Sequence, residues 1–386
     1  MILTFYILII IAFLIATAAL YMPMNEIFPI KWQYYHYFIR KPINRTIFVV
    51  IVTWTGINAY QQGVFPISAI APLILVTFAM ILTYRLHQEV VFKAVDYPSM
   101  TKDITSLPLE DNMQVAVIEY NGITKSYPLD YVIHHHIVND KFGDKLVSLT
   151  YCAMCRSIIP FDVTEIGPLF VGSYCNGNMI VADRKTKTFF QQASFESVIG
   201  KLHPSSLNMI AFQILNWSEL KELMPNIEIV KVTKNDLREF ELPVPGAWKK
   251  IMNSDIVPGL SKKSRDTTFR TRTSVIGIFD KSVTKNLVYL KSEVLNKSIV
   301  INKEQNFFLI GVDNTVNGFK TPVNNPKFNI EIKNNQIHEI NTKTIWNLRG
   351  KYISGDNKAD LELLALSDEY WFSWQKYHKD SDLIRL

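Results

Sequence analysis

The pattern of hydrophobic and polar positions divides the chain into an apolar N-terminal region and a longer region of short alternating segments. Residues 2–20 are almost wholly apolar, and a second uncharged stretch runs from Thr46 to Tyr84. A helix needs roughly 20 apolar residues to cross a bilayer, and Gln61-Gln62-Gly63 interrupts the second stretch. The pattern therefore predicts a membrane region, residues 1–93, with spans at about 2–22, 46–61 and 64–84.

The flanks of these spans predict how the chain lies in the membrane. A cleaved signal peptide is the alternative for the first span, but the long apolar run and the lack of a basic segment before it favour a retained helix. The loop 23–45 carries aromatic residues beside Arg40, Lys41 and Arg45, which the positive-inside rule assigns to the cytoplasm. We therefore expect a multi-pass membrane protein with a cytoplasmic soluble domain and the lipid bilayer as a partner.

Beyond residue 94 the apolar positions alternate as they do in strands. Aromatic and β-branched residues favour strands in 146–163, 168–182 and 275–311. Amphipathic helices are expected around 129–138, 214–224 and 367–378. The soluble region is therefore predicted to be rich in strands, with a few short helices.

Related segments recur at a nearly constant separation. "KTKTFF" (185–190) resembles "NTKTIW" (341–346), the "VIG" ending at Gly200 resembles the "ISG" ending at Gly355, and the segment around Trp217 resembles the one around Trp374. These matches predict two similar halves, 94–242 and 273–386, joined by a solvated linker, 243–272. The expected fold class is α+β, with N-terminal transmembrane helices followed by a strand-rich soluble domain built from two similar halves.

Charge and cysteine content narrow the classes of function. The formal net charge is +6, but most of the basic excess flanks the membrane spans, so no nucleic-acid partner is expected. Three cysteines are too few for a disulfide-stabilised secreted scaffold.

The cysteines instead indicate a site in the first half. Cys152 and Cys155 form a C-x-x-C sequence, whose spacing lets two sulfurs bind one metal ion or form a disulfide. His135 and Cys175 supply further ligands in the same half, with His136 as the alternative to Cys175. The first hypothesis is a zinc or copper site formed by Cys152, Cys155, His135 and Cys175.

Two further hypotheses use the same residues without a metal. In a thiol enzyme or redox protein, Cys152 or Cys155 is the reactive thiol, His135 is the base and Arg156 lowers the thiol pKa. In a structural or interaction module, the cysteines are small buried residues of a hairpin. The sequence leaves open whether the protein is an enzyme, and its partner is an unidentified small molecule or protein.

With these residues assembled, the soluble region resembles the family called domain of unknown function 3179. The resemblance covers nearly all of 96–386, through "NGITKSYPL" (121–129), "HHIVND" (135–140), "LTYCAMCRSIIPFD" (149–162), "ADRKTKTFFQQ" (182–192), "WNLRGKYISG" (346–355) and "YWFSWQKYH" (370–378). The chain departs from the family at Ala153-Met154, where Pro-Leu is usual, and at His136, where an acid is usual. It departs again at Asn176-Gly177-Asn178, where Asn-Ser-Asp is usual. The resemblance implies no activity, but it implies a binding site that includes Tyr151, Asp162, Asp183, Arg184 and Gln192. We expect Asn178 to belong to the same site.

Overall fold

Three long helices form the N-terminal part of the protein. The computed structural model describes residues 2–240, 250–279, 286–322 and 327–386. The helices are α1 (Ile2–Tyr21), α2 (Ile30–Gln62) and α3 (Ile70–Arg85), and each packs against the other two. At a buried point between them, Asn44 of α2 donates hydrogen bonds to the carbonyl oxygen of Ala12 (3.0 Å) and to Thr83 Oγ1 (2.5 Å).

Within the described residues, two helical segments are long and apolar enough to cross a membrane, Leu3–Tyr21 and Ile67–Arg85. They coincide with the predicted spans 2–22 and 64–84. The predicted span 46–61 forms the C-terminal half of α2 and does not meet the same criteria. Large apolar side chains are exposed on all three helices, including Ile7, Leu14, Val49, Ile57, Ile74 and Phe78. Such surfaces are typical of helices that associate with a membrane.

The prediction of a loop over residues 23–45 was wrong, because α2 begins at Ile30. The buried side of this helix is largely polar, and its members recur every three or four residues: Gln33, His36, Arg40, Asn44, Ile47, Ile51 and Thr55. Residues with that spacing lie on one face of a helix. Because most of them are polar, the pattern of apolar positions did not predict this helix. Gly63, with φ of 66°, ends the helix where the sequence predicts an interruption.

The first half of α2 attaches the helices to the soluble region. The Ser173 hydroxyl donates a hydrogen bond to Gln33 Oε1, and the ring of Tyr34 lies 5.1 Å from that of Phe189. Arg40 is buried and lies 3.8 Å from Glu89. Through Gln33 and Tyr34, the N-terminal helices and the strand-rich region therefore share a packed interface.

Six further α-helices among the described residues are short; the first precedes the strands and the others lie between them. They are α4 (Gln88–Val91), α5 (Leu129–His135), α6 (Trp217–Leu223), α7 (Lys234–Phe240), α8 (Lys291–Lys297) and α9 (Trp371–Tyr377). A capping box begins α6. The backbone N–H of Asn216 donates to Glu219 Oε2 at 3.0 Å, and the Asn216 side chain accepts from the backbone N–H of Glu219. The predicted helices around 129–138, 214–224 and 367–378 thus correspond to α5, α6 and α9.

The strands up to residue 230 are β1 (Val95–Asp96), β2 (Met100–Thr101), β3 (Gln114–Tyr120), β4 (Ile123–Pro128), β5 (Ile137–Phe142), β6 (Lys145–Cys152), β7 (Ser157–Asp162), β8 (Leu169–Cys175), β9 (Asn178–Asp183), β10 (Phe189–Gln191), β11 (Ser197–Ile199), β12 (Asn208–Met209), β13 (Gln213–Asn216) and β14 (Glu228–Val230). They form three sheets, with strand orders β1-β5-β6-β7-β12, β11-β10-β9-β8 and β13-β3-β4-β14-β2.

The later strands are β15 (Ser274–Ile278), β16 (Leu287–Leu290), β17 (Ile299–Asn302), β18 (Phe307–Val312), β19 (Thr315–Lys320), β20 (Ile330–Lys333), β21 (Gln336–Glu339), β22 (Ile345–Asn347), β23 (Tyr352–Ser354), β24 (Leu366–Tyr370) and β25 (Asp382–Ile384). Their sheets have the orders β24-β15-β16-β25, β17-β18-β19 and β20-β21-β22-β23. The predicted strand-rich α+β region is confirmed.

One predicted strand segment contains a helix. Within 275–311 the chain forms strands at both ends, but Lys291–Lys297 is α8. Lys, Glu and Leu are good helix formers, and the buried Val294 packs its apolar side chain into the core. The segments on both sides of this two-turn helix are rich in β-branched residues, so the sequence pattern favoured strand throughout.

Candidate functional site

Cys152 and Cys155 lie in the turn of a buried hairpin. Cys152 ends β6 and pairs with Ser157, the first residue of β7. Between them, Arg156 adopts a φ of 58°, which allows the chain to reverse. The exposed fractions of Cys152, Met154 and Cys155 are 2%, 3% and 0%. The turn therefore holds both thiols inside the protein rather than at a loop tip.

Apolar side chains from four parts of the chain surround the thiols. The cluster includes Val171 and Met179 from β8 and β9, Phe372 from α9, and Val257 and Leu260 from the segment 250–264. The predicted solvated linker thus contributes part of the wall around the cysteines. Residues 243–249 of that linker lie outside the described residues.

The two thiols differ in their affinity for a proton. Burial alone raises the pKa of Cys152, but hydrogen bonds from the Cys155 thiol and from the backbone amides of Cys155, Met179 and Met154 bring it below the ordinary value. Burial, the hydrogen bond to Cys152 and the negative charges of Cys152 and Glu369 raise the pKa of Cys155 well above that value. Cys152 is therefore the first of the two thiols to lose its proton.

A chain of buried hydrogen bonds leads away from Cys155 on one side. Its sulfur lies 3.3 Å from Ser157 Oγ, which donates to Gln192 Oε1 at 2.9 Å. Gln192 Nε2 in turn donates to Thr150 Oγ1 at 3.0 Å. The structure thus brings the predicted residue Gln192 to the thiols, where its amide positions Ser157.

A second buried polar group comes from β24 and α9. The Tyr370 amide donates to the carbonyl oxygen of Cys155 at 2.9 Å, which places β24 against the cysteine turn. The neighbouring Glu369 is fully buried and accepts a hydrogen bond from Ser367 Oγ at 3.0 Å. Burial raises the pKa of Glu369 to about 7. Sequence reasoning missed this residue, whose only signal was an acid inside the apolar segment "ALSDEYWF".

The predicted residue Asn178 connects this group to the cysteines. Asn178 Nδ2 donates to Ser373 Oγ at 2.7 Å, and the Ser373 hydroxyl interacts with the Glu369 carboxyl. The next residue, Met179, directs its amide at Cys152. Cys152, Cys155, Asn178 and Glu369 therefore belong to one buried site.

The predicted four-ligand metal set is not assembled. The ring of His135 lies among Tyr131 and His134, at 4.6 and 4.9 Å between centroids, in a cluster separate from the thiols. Cys175 packs against Phe170 and Phe189, because consecutive strand residues face opposite sides of a sheet. Over the described ranges, no three His, Cys, Asp or Glu side chains form a group that could hold a metal ion. The fourth-ligand alternative, His136, stacks on Phe92 at 4.5 Å.

The other predicted site residues have structural partners. Arg156 approaches Ser274 Oγ (3.4 Å) and Asp368 (4.0 Å) instead of a sulfur. Tyr151 precedes Cys152, and burial raises its pKa. The remaining three lie elsewhere, in contacts that hold turns and ion pairs: Asp162 accepts from Tyr120 (2.6 Å), Asp183 accepts from Thr188 (2.8 Å), and Arg184 pairs with Asp96 (3.0 Å).

A comparison with protein-family models finds one match. The model described as a protein of unknown function, DUF3179, matches residues 92–381. No curated protein matches the chain, and no solved structure matches it.

Proposed function

Because this chain belongs to the DUF3179 family, for which no function is established, we propose a function from its own site: a membrane-anchored thiol redox protein. Its Cys152 and Cys155 exchange between a dithiol and a disulfide. The observation that carries this proposal is the placement of two buried thiols in one hairpin turn, between β6 and β7. The pKa shifts, lower for Cys152 and higher for Cys155, agree with it. Thiol–disulfide exchange needs such a pair, since the thiolate attacks while the thiol waits to resolve.

The reaction balances with a small disulfide as oxidant. The Cys152 thiolate attacks one sulfur of R–S–S–R, forming Cys152–S–S–R and releasing RS⁻. Cys155 then loses its proton and attacks the Cys152 sulfur, which expels the second RS⁻ and closes the Cys152–Cys155 disulfide. Two electrons pass from the protein to the oxidant, and the Cys155 proton ends on solvent or on the leaving thiolate. The reverse sequence reduces the protein.

The geometry favours this function over the metal hypothesis. Two sulfurs meet in the turn, but His135 and Cys175 lie in other clusters. A tetrahedral zinc ion needs four ligands, or three with a water. The proposal also replaces His135 as the predicted base, because its ring lies away from the thiols.

Membrane anchorage and its direction are part of the proposal. We propose that α1, the C-terminal half of α2 and α3 all span the bilayer, with the soluble region in the cytoplasm. The exposed apolar side chains of α2, such as Val49 and Ile57, and the bases at its other end support this arrangement. An impermeant maleimide added to intact cells should not label a Lys262→Cys variant. Labelling would contradict the proposal, because it would place the soluble region outside the cytoplasm.

We propose further that the soluble region consists of two similar halves. The sheets β13-β3-β4-β14 and β24-β15-β16-β25 have the same strand directions, with two antiparallel pairs followed by one parallel pair. Trp217 and Trp371 each begin the next helix, and their amides donate to Met113 and Thr273. This pairing supports Trp217 as the counterpart of Trp371 rather than of Trp374.

Two glycines support the same division. A Cβ on Gly200 would lie 2.5 Å from Thr188 Cα, and one on Gly355 would lie 2.4 Å from Thr344 Cα. Both glycines have positive φ, 128° and 107°. An experimental structure in which the two sheets superpose with another strand correspondence would contradict the proposal.

The thiol function is tested on the full chain, purified in detergent and reduced. In a Cys175→Ser background, dithiodipyridine is expected to release two equivalents of thiopyridone per chain and to leave a Cys152–Cys155 disulfide, identified by peptide mass spectrometry. The Cys155→Ser variant is expected to stop after one equivalent, with a mixed disulfide on Cys152.

The Cys152→Ser variant is the matched control, since it retains the thiol with the raised pKa. It is expected to react at least about tenfold more slowly than Cys155→Ser, because the thiolate is the nucleophile. Equal rates in the two variants would contradict the proposal. Stoichiometric zinc or copper in the reduced protein, lost on Cys152→Ser, would restore the metal hypothesis.

A further inference from the structure

Glu369 is a buried acid that takes no part in the thiol–disulfide exchange described for Cys152 and Cys155. It is 0% exposed, and its strand is bound to the cysteine turn through the Tyr370–Cys155 backbone hydrogen bond of 2.9 Å. Among the described residues, one of its carboxyl oxygens, Oε2, has no hydrogen-bond partner. Burying a carboxyl group costs free energy unless its atoms are paired. This carboxyl also interacts electrostatically with the Cys155 thiol, so an unpaired oxygen at this place calls for an explanation.

We propose that Glu369 is the proton acceptor for Cys155 during disulfide closure. This inference rests on the thiol function proposed above and assigns the destination of the Cys155 proton. When Cys155 attacks the mixed disulfide on Cys152, its proton passes to the Glu369 carboxylate, and the carboxylic acid later returns it to solvent. The proton that leaves Cys155 thus stays in the site, on the Glu369 carboxyl group, which becomes neutral.

The comparison between the two halves supports this role. Glu369 lies two residues before Trp371, and the residue two before Trp217 is Leu215. Leu215 is 2% exposed and belongs to an apolar cluster. At equivalent positions of the proposed halves, the apolar side chain fills a core, whereas the acid lies on the strand that is hydrogen-bonded to the cysteine turn.

The other charged and titratable groups around this pair do not offer the same acceptor. Tyr151, Tyr174 from β8 and Tyr377 from α9 interact electrostatically with both thiols, and burial raises the pKa of all three tyrosines above the usual value. Asp368, on the same strand, binds Lys291 Nζ at 2.6 Å and lies 4.0 Å from Arg156. Glu369 is therefore the acid with a pKa suited to accept a proton near neutral pH.

The test separates closure from the first attack. In a Cys175→Ser background, dithiodipyridine releases its first thiopyridone at a rate proportional to its concentration and the second at a rate set by closure. For Glu369→Gln, the first release is expected to stay within about twofold, and the second to slow about a hundredfold at neutral pH. Closure in the variant should then accelerate only at alkaline pH, as Cys155 ionises without an acceptor.

The direction of the change distinguishes two roles. The Glu369 charge raises the pKa of Cys155, so a purely electrostatic role predicts faster closure in Glu369→Gln. Closure that is faster or unchanged overturns the proposal. Glu362→Gln, an exposed acid on the segment before the same strand, is the control and should close at the wild-type rate.

Two further outcomes distinguish a failure of the thiol function from a failure of the role proposed for Glu369. If the parent protein releases no second equivalent, the thiol function itself fails. If Glu369→Gln does not fold, Glu369→Asp provides the readout, since it keeps the acid one methylene further away and is expected to close more slowly than the parent. A parent-like closure rate in Glu369→Asp at every pH would then overturn the role of Glu369.

Discussion

Glu369 is expected to shape the stability of the protein as well as its chemistry. Its pKa rises from 4.5 to about 7 in the folded protein, so the folded state binds the proton more tightly than the unfolded state. Stability from this group is complete below pH 4.5 and declines as the pH rises to 7. The difference amounts to about 3 kcal/mol.

Urea unfolding at several pH values measures this effect. Relative to wild type, Glu369→Gln should gain stability progressively between pH 4.5 and 7 and no further above it. His136 and His378, whose pKa values burial lowers to about 4, titrate in both proteins and cancel in the difference. Parallel stability curves would show that Glu369 is not buried as described.

The same residues show what sequence reasoning could reach. The C-x-x-C spacing after a strand predicted that Cys152 and Cys155 meet, because a short hairpin turn brings them together whatever the rest of the fold does. The structure does not bring His135 and Cys175 to this pair, and the sequence could not show this, since their orientation depends on which face of α5 and β8 is buried. Glu369 could not be found, because its contact with Cys155 exists only once β24 docks on the turn.

At the scale of elements, the period of apolar positions predicted helices and strands that have one apolar and one polar face. It predicted α5, α6 and α9 and the strands within 146–163 and 168–182, which form β6 to β9. It failed for the first half of α2, whose buried face contains Gln33, His36 and Arg40, and for α8, which is only two turns long. Polar burial depends on tertiary partners that a local pattern does not contain.

The turn between β8 and β9 is expected to control access to the thiols. A Cβ on Gly177 would lie 2.3 Å from Val257 Cγ1 and 2.7 Å from Phe372, and its φ is +77°. Gly177→Ala should therefore push the segment 250–264 and α9 away from the cysteines. We expect faster alkylation of Cys152 by iodoacetamide, together with a lower melting temperature.

Gly122→Ala is the matched comparison. Its φ of +71° carries similar backbone strain, but no atom lies within 4 Å of its Cβ position among the described residues. It should lower the melting temperature less and leave the alkylation rate unchanged. Equal alkylation rates for the two variants would mean that the wall does not limit access.

At the scale of the whole molecule, Arg349 links the two parts of the soluble region. It follows β22, is 6% exposed, and binds Glu119 of β3 at 2.9 Å and the sulfur of Met224 at 2.7 Å. Arg349→Ala removes these contacts and the packing of the side chain. Because Lys351 still pairs with Glu119 at 2.9 Å, we expect a loss of about 1–3 kcal/mol in unfolding free energy.

Arg385→Ala provides the comparison for this measurement. Arg385 pairs with Glu293 at 2.7 Å, but its side chain is 60% exposed. Solvent screens such pairs, so the expected loss is below about 1 kcal/mol. Similar losses in the two variants would show that the Arg349 contact does not hold the two parts together.

The segment 250–264, which forms part of the wall around the thiols, is hydrogen-bonded to the N-terminal helical part of the chain. In the segment 250–264, Gly259 N donates to the carbonyl oxygen of Met24 at 3.2 Å, and Ser261 N donates to Glu26 Oε1 at 2.7 Å. Both acceptors lie in the connection between α1 and α2. A fragment cut at the start of the family match, residue 92, would lose this support, and its cysteines would react faster than those of the whole protein. Cysteine reactivity measured on such a fragment would therefore describe the fragment alone, and the full chain with its N-terminal helices is needed to measure how well the fold protects the sulfurs.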